Sequence, residues 1–195
     1  MSFFVDDYSF DDNKNYLIYL RGGMSPPTRG HFSLIEKFSH MHNVKYFIHQ
    51  IGERHSINYD VNRKILKIYI NELLDKKKIV LWKMGSSLEV LEHVEDIDVV
   101  IYLKGDEGNG YSIEQFADIK NRYKPLLKQL KKRNIPMHFL VISRPLINKL
   151  SATKFVEAVR ENSSNQSKNN LRYFVPKGLS DKSFNYIIKQ IKKYV

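Results

Sequence analysis

The sequence predicts an α/β chain: a Rossmann-like, doubly wound sheet of five parallel strands with helices on both faces and a C-terminal helix. Three observations carry this. Five short runs rich in Val, Ile, Leu, Tyr and Phe recur along the chain, each continuous rather than alternating, as in strands buried on both faces. Segments with apolar residues at helical spacing separate them. Strict alternation of the two patterns implies right-handed crossovers within one sheet. With 195 residues, 42% hydrophobic and 27% charged, the chain suits one well-cored domain and is short for two. Residues 1–195 are therefore expected to form a single domain.

Taken in order, residues 1–14 are polar with three early phenylalanines and read as an arm or a lead-in to a strand. Strands are expected at 16–21, 44–50, 78–84, 97–103 and 136–142. A helix begins near Phe32. Segment 61–75 places Ile65, Leu66, Ile68, Tyr69, Leu73 and Leu74 on one wide helical face. Segment 87–94 is a shorter helix. Segment 112–134 opens with Ser112-x-x-Gln115, a capping-box pattern, and Pro125 should kink or split it. A helix is expected at 151–161. The polar run 162–170 reads as a mobile surface loop. The last helix, 181–194, has Ser180 as N-cap and Phe184, Ile187, Ile188 and Ile191 on one face.

The most informative stretch is Arg21-Gly22-Gly23-Met24-Ser25-Pro26-Pro27-Thr28-Arg29-Gly30-His31. It lies between the first strand and an amphipathic run, at a strand's carboxyl end, where doubly wound sheets bind ligands. Glycine allows close backbone approach to a ligand, and proline stiffens the loop. The N-terminus of the new helix is a natural seat for phosphate. Thr28 and His31 are placed to aim at one phosphate. The loop reads as an anion site, and as one for a nucleotide. A second helix start, Leu150-Ser151-Ala152-Thr153-Lys154-Phe155-Val156, offers two hydroxyls and another oxyanion-binding terminus.

Pro26, Thr28, Gly30 and His31 match the Pro-x-Thr-x-Gly-His form of the signature of the HxGH/TxGH nucleotidyltransferases. The fuller run from Met24 resembles phage and viral nicotinamide-nucleotide adenylyltransferase-like members most closely. The 150–156 segment is similar to the family's Ile-Ser-x-Thr-x-x-Arg motif, which holds the outer phosphates of a triphosphate. The resemblance runs in order through residues 16–192, with high specificity only at these two motifs. It implies transfer of a nucleoside monophosphate from ATP or CTP to a phosphorylated acceptor, with release of pyrophosphate. The acceptor it favours is nicotinamide mononucleotide, giving NAD.

The resemblance assigns catalysis to His31, Thr28 and Lys154. Gly22, Gly23, Met24, Gly30, Ser151, Thr153 and Arg160 would bind nucleotide or phosphate. Asn58, Gly105 and Asp106 fall where relatives contact base or acceptor, although turn chemistry explains Gly-Asp equally well. Magnesium would be held by the nucleotide phosphates rather than by a protein cage. One departure matters: the family's arginine falls at Val156. Lys154 or Arg160 would have to supply the charge. Three readings follow: a relocated cation, a weakened enzyme, or an inactive descendant.

Composition narrows the remainder. With no cysteine, disulfides, thiolate zinc sites and a cysteine nucleophile are excluded. His40, His42, His49 and His55 lack the spacing of a zinc protease. No run approaches a membrane span, and the first residues lack the features of a secretory signal. A cytoplasmic protein is expected, in the host cytoplasm if the chain is viral. The net charge of +11, from 32 basic and 21 acidic residues, attracts polyanions. Solvated lysines are the favoured explanation, so nucleic acid is a partner that is allowed but not favoured, and an oligomer is allowed. The alternative function is a weakened or inactive nucleotide- or nucleic-acid-binding protein on the same fold.

Overall fold

The computed structural model describes residues 3–4, 7–22, 24–53, 56–74, 79–83, 87–105, 113–142, 150–161 and 168–195. In chain order the elements are β1 (Phe3–Phe4), β2 (Tyr16–Gly22), α1 (Arg29–Ser39), β3 (Val44–Ile51), α2 (Tyr59–Leu73) and β4 (Ile79–Lys83). A 3₁₀-helix (Ser87–His93) then leads to β5 (Val99–Gly105), α3 (Ile113–Arg122), α4 (Lys124–Lys132) and β6 (Met137–Ile142). The chain closes with α5 (Ala152–Glu161), α6 (Lys168–Arg172) and α7 (Asp181–Ile191). All strand pairs are parallel, in the order β1-β6-β5-β2-β3-β4.

The five expected strands are present, with ends shifted by at most two residues. The sheet has six strands rather than five, because Phe3 and Phe4 pair with Leu140 and Val141 at its edge. The lead-in thus joins β6 at one edge, far from β2. Segment 112–134 divides at Tyr123, whose backbone (φ −98°, ψ 9°) leaves the helical region. Pro125 follows in the first turn of α4, where its missing N–H costs nothing. Segment 87–94 is a 3₁₀-helix rather than an α-helix. Residues 168–170 of the expected polar loop are helical, in α6. Residues 162–167 lie outside the described residues, as does Ser112. Asn58 starts α2 two residues early by accepting the Val61 N–H at 3.1 Å.

Each face of the sheet has its own core. On one face Ile18, Leu20 and Phe47 pack against Phe32 and Ile35 of α1, Ile65 of α2, Phe155 of α5 and Ile187 of α7. On the other, Leu17, Tyr19, Ile48 and Tyr102 meet Leu91, Tyr123, Leu126 and Leu130. Burying each such side chain contributes roughly 1.5–3 kcal/mol. Among the described residues no helix is long and apolar enough to cross a membrane.

Candidate functional site

The strand order places β2 at the centre. The chain runs outward through β3 and β4, then returns to the other side of β2 for β5 and β6. The crevice between the carboxyl ends of β2 and β5 is therefore the switch point. A cavity of about 720 Å³ opens there, its wall including Arg21, Gly22, Lys83, Tyr102, Lys104 and Arg122. Four cations outweigh the two acids at the wall, Glu53 and Asp118. Arg21 Nη1 donates to the Tyr123 hydroxyl at 3.3 Å, which in turn lies 3.4 Å from that of Tyr102. Rings of Tyr19, Tyr102 and Tyr123 meet at centroid distances of 4.9–5.9 Å. Burial, reinforced by Tyr123, pushes the Tyr19 and Tyr102 phenols well above their usual range, so both stay neutral. Lys83 lies 6.0 Å from the centroid of the Tyr59 ring, also at the wall. Sequence reasoning singled out none of these side chains as a site residue. The signal was positional: Arg21, Lys83 and Lys104 each sit at or just before the carboxyl end of their strand.

Gly22 ends β2 at the cavity wall, and a Cβ built there meets nothing within 4 Å. No packing in the protein itself requires glycine at this point. A ligand approaching the backbone would. Gly23 lies outside the described residues. Met24 is 7% exposed and holds a left-handed backbone, φ 29°, a strained state for a side-chain-bearing residue. Ser25 is fully buried, and the Asn62 amide of α2 donates to its hydroxyl at 2.8 Å, pinning the loop to α2.

Thr28 is the N-cap of α1 and is fully buried. Its backbone N–H donates to Nδ1 of His31 at 3.0 Å, and its hydroxyl lies 3.0 Å from the same nitrogen. An Nδ1 that accepts leaves Nε2 as the protonated nitrogen of neutral His31. Thr28 therefore orients His31, and its hydroxyl is enclosed beside that ring. The helix terminus is also less open than expected. Arg29 N–H donates to the Phe174 carbonyl at 2.6 Å, and the capping box engages His31 N–H. Among the described residues, Gly30 retains the unpaired N–H of that first turn.

The second helix start is capped by Ser151, whose Oγ accepts the Lys154 N–H at 3.2 Å. Thr153 and Lys154 are exposed. Val156, where the motif it resembles carries arginine, is 2% exposed and packs in the core with Leu150 and Phe155. An arginine there would point into apolar packing. Arg160 is exposed in the last turn of α5, eight residues and about 12 Å of helix beyond Ala152. Sharing the Val156 face does not bring it to the N-terminus. The two starts meet through Phe174, which binds α1 through its carbonyl and stacks on Phe155 of α5 at 5.1 Å and 7°.

Asn58 is exposed and serves α2 as its cap. It is not part of the cavity wall, whereas Tyr59 beside it is. Gly105 ends β5 next to Lys104, and Asp106 lies outside the described residues. Beneath the loop, His49 of β3 pairs in register with Leu20 and is fully buried. Neither of its ring nitrogens has a well-formed hydrogen bond. Burial first, and His31 second, lower its pKa to about 3, against a weak opposing effect of the Gly22 backbone. His49 is neutral at physiological pH. Among the described residues no group of three histidine or acidic side chains gathers to hold a metal ion.

The sequence matches no protein-family model and no curated protein. Solved structures do share its architecture. Plasmodium falciparum nicotinic acid mononucleotide adenylyltransferase complexed with APC is 17% identical, with a TM-score of 0.58 over 93% of this chain and 98% of that one. The same enzyme complexed with NaAD gives 16% and 0.56, covering 90% and 95%. Thermotoga maritima TmcAL bound with alpha-thio ATP gives 15% and 0.52, covering 92% of this chain but 56% of that protein. At these identities the likeness concerns the fold. The chain has an α/β Rossmann-like fold, which it shares with these solved structures.

Proposed function

We propose that the protein transfers a nucleoside monophosphate from ATP to a phosphorylated acceptor and releases pyrophosphate, with nicotinamide mononucleotide as the favoured acceptor. The observation that carries this reading is Gly22: a backbone position open to a cationic, tyrosine-walled cavity at the switch point, directly preceding the loop of an oriented histidine. An acceptor phosphate oxygen attacks the α-phosphorus in line and pyrophosphate leaves, which demands positioning and charge neutralisation. In this reading Nε2–H of His31 donates to the phosphoryl oxygens, and Arg21 and Lys104 neutralise acceptor charge. Ser151, Thr153 and Lys154 receive the outer phosphates at the α5 start. Magnesium would arrive with the triphosphate, whose charge it neutralises. The test is pyrophosphate release from ATP or CTP across phosphorylated acceptors. Release that depends on one acceptor supports the reading; none with any acceptor sinks it.

A second reading rests on Val156. With that position given to the core and Arg160 at the far end of α5, the triphosphate lacks the family's arginine. A protein that binds ATP without turning it over would fit. ATP binding by calorimetry, with no pyrophosphate released, would favour it.

A further inference from the structure

The sequence from Ile119 to Asn134 carries seven cations and no acid. The structure collects them on α3 and α4. Lys120, Arg122, Lys124, Lys128, Lys131 and Lys132 are all exposed. Among the described residues none of these six forms an ion pair. Lys124, Lys128 and Lys131 follow i, i+4, i+7 spacing, so they form one stripe with charges about 5–6 Å apart along the axis. Arg133 ends the ridge beside Glu95 and Asp96. At its other end Arg122 is both ridge and cavity wall.

We propose that this ridge carries the phosphodiester backbone of a single-stranded nucleic acid whose 5′-monophosphate end enters the cavity as an acceptor. The inference rests on the proposed transfer reaction and names a substrate class for the same site. A ribose 5′-monophosphate is the nucleophile in either case. Its oxygen would attack the α-phosphorus of ATP, the bond to the bridging oxygen would break, and pyrophosphate would leave a 5′–5′ diphosphate linkage. Exposed lysines in a row match a polyphosphate chain. The half-buried ring of Tyr59 at the cavity wall offers a stacking surface to a terminal base, which a single strand can present and a duplex cannot. An anionic membrane fits less well. Interfacial helices sink an apolar face into lipid, whereas Leu126 and Leu130 of α4 are each 1% exposed, packed in the core.

The test is fluorescence anisotropy with a 12-nucleotide RNA labelled at its 3′ end, carrying either a 5′-phosphate or a 5′-hydroxyl. The 5′-phosphate should tighten binding by about 10-fold. Raising salt from 50 to 200 mM should weaken binding by about 10-fold, as for a few phosphate contacts. The triple variant Lys124→Glu, Lys128→Glu, Lys131→Glu should weaken both oligonucleotides by about 10-fold or more, while pyrophosphate release with nicotinamide mononucleotide stays unchanged. A Lys→Gln triple variant gives the same direction without charge reversal. Absent binding, indifference to the ridge variants, or indifference to the 5′-phosphate overturns the proposal. So does capture by phosphatidylserine vesicles without RNA binding. Loss of the mononucleotide reaction in the unmodified protein would sink the transfer reading, a separate result.

Discussion

The backbone N–H of Arg29 donates to the carbonyl oxygen of Phe174 at 2.6 Å. This one bond joins the first turn of α1 to a segment about 145 residues later in sequence. The Phe174 ring lies flat on Phe155 in the first turns of α5. Two helix starts that the sequence could only place side by side in a motif list are thereby held to one residue. Phe174 is 9% exposed, so truncation to alanine is expected to cost about 3 kcal/mol or more. It should also weaken ATP binding, by letting the two starts drift. Chemical denaturation and calorimetry on the same variant measure the two effects.

His31→Ala is expected to reduce turnover at least about 100-fold, the effect of losing one preorganised donor. Thr28→Val keeps the backbone N–H donor to Nδ1 but loses the hydroxyl. It should cost about 1 kcal/mol of stability as a lost cap and reduce turnover far less than His31→Ala. Equal losses of turnover in both variants would return Thr28 to the reacting groups. Steady-state pyrophosphate release decides.

Gly22→Ala should leave thermal stability unchanged or raise it by about 0.4–1 kcal/mol, since the added methyl meets open space and the unfolded chain loses freedom. Ligand binding should fall by about 10-fold or more, because the methyl occupies the approach to the backbone. A variant with intact melting and intact binding would show that the glycine serves no ligand.

His49 sets an acid limit. Its folded pKa, about 3, lies below the ordinary histidine value of 6.5. The unfolded chain therefore binds the extra proton between these values, and stability falls as pH drops through that window. The slope approaches about 1.4 kcal/mol per pH unit, or about 2 kcal/mol between pH 6.5 and 5. His49→Leu should remove that part of the acid sensitivity. Denaturation midpoints of both proteins at several pH values test this, and parallel pH profiles would contradict it.

Val156→Arg places in sequence, but not in space, the arginine of the motif that this segment resembles. The new side chain would enter the α5 core, so a loss of about 3 kcal/mol or more is expected, with no gain in turnover. Lys154→Ala, on the exposed first turn, should leave stability within about 0.5 kcal/mol while raising the KM for ATP. Urea denaturation and kinetics separate the two.

The order of strands and helices is legible in the sequence, because apolar runs and helical periodicity are local properties of adjacent residues. The sequence also located the loop from Gly22 to His31, since a strand, a Gly-Pro turn and a helix start are read within a dozen positions. The split at Tyr123 was legible in Pro125 for the same reason. Tertiary structure decided what each of these elements faces. Val156 and Lys154 stand two positions apart, yet one is core and the other solvent, because the packing of α5 against the sheet selects the buried stripe. Thr28 reads as a ligand hydroxyl in the motif and becomes a buried brace once Nδ1 of His31 closes on it. The cavity draws its cations from β2, β4, β5 and α3, which only the parallel sheet brings to one end. Such residues share no spacing along the chain, since their proximity arises from strand order and register rather than from any local repeat.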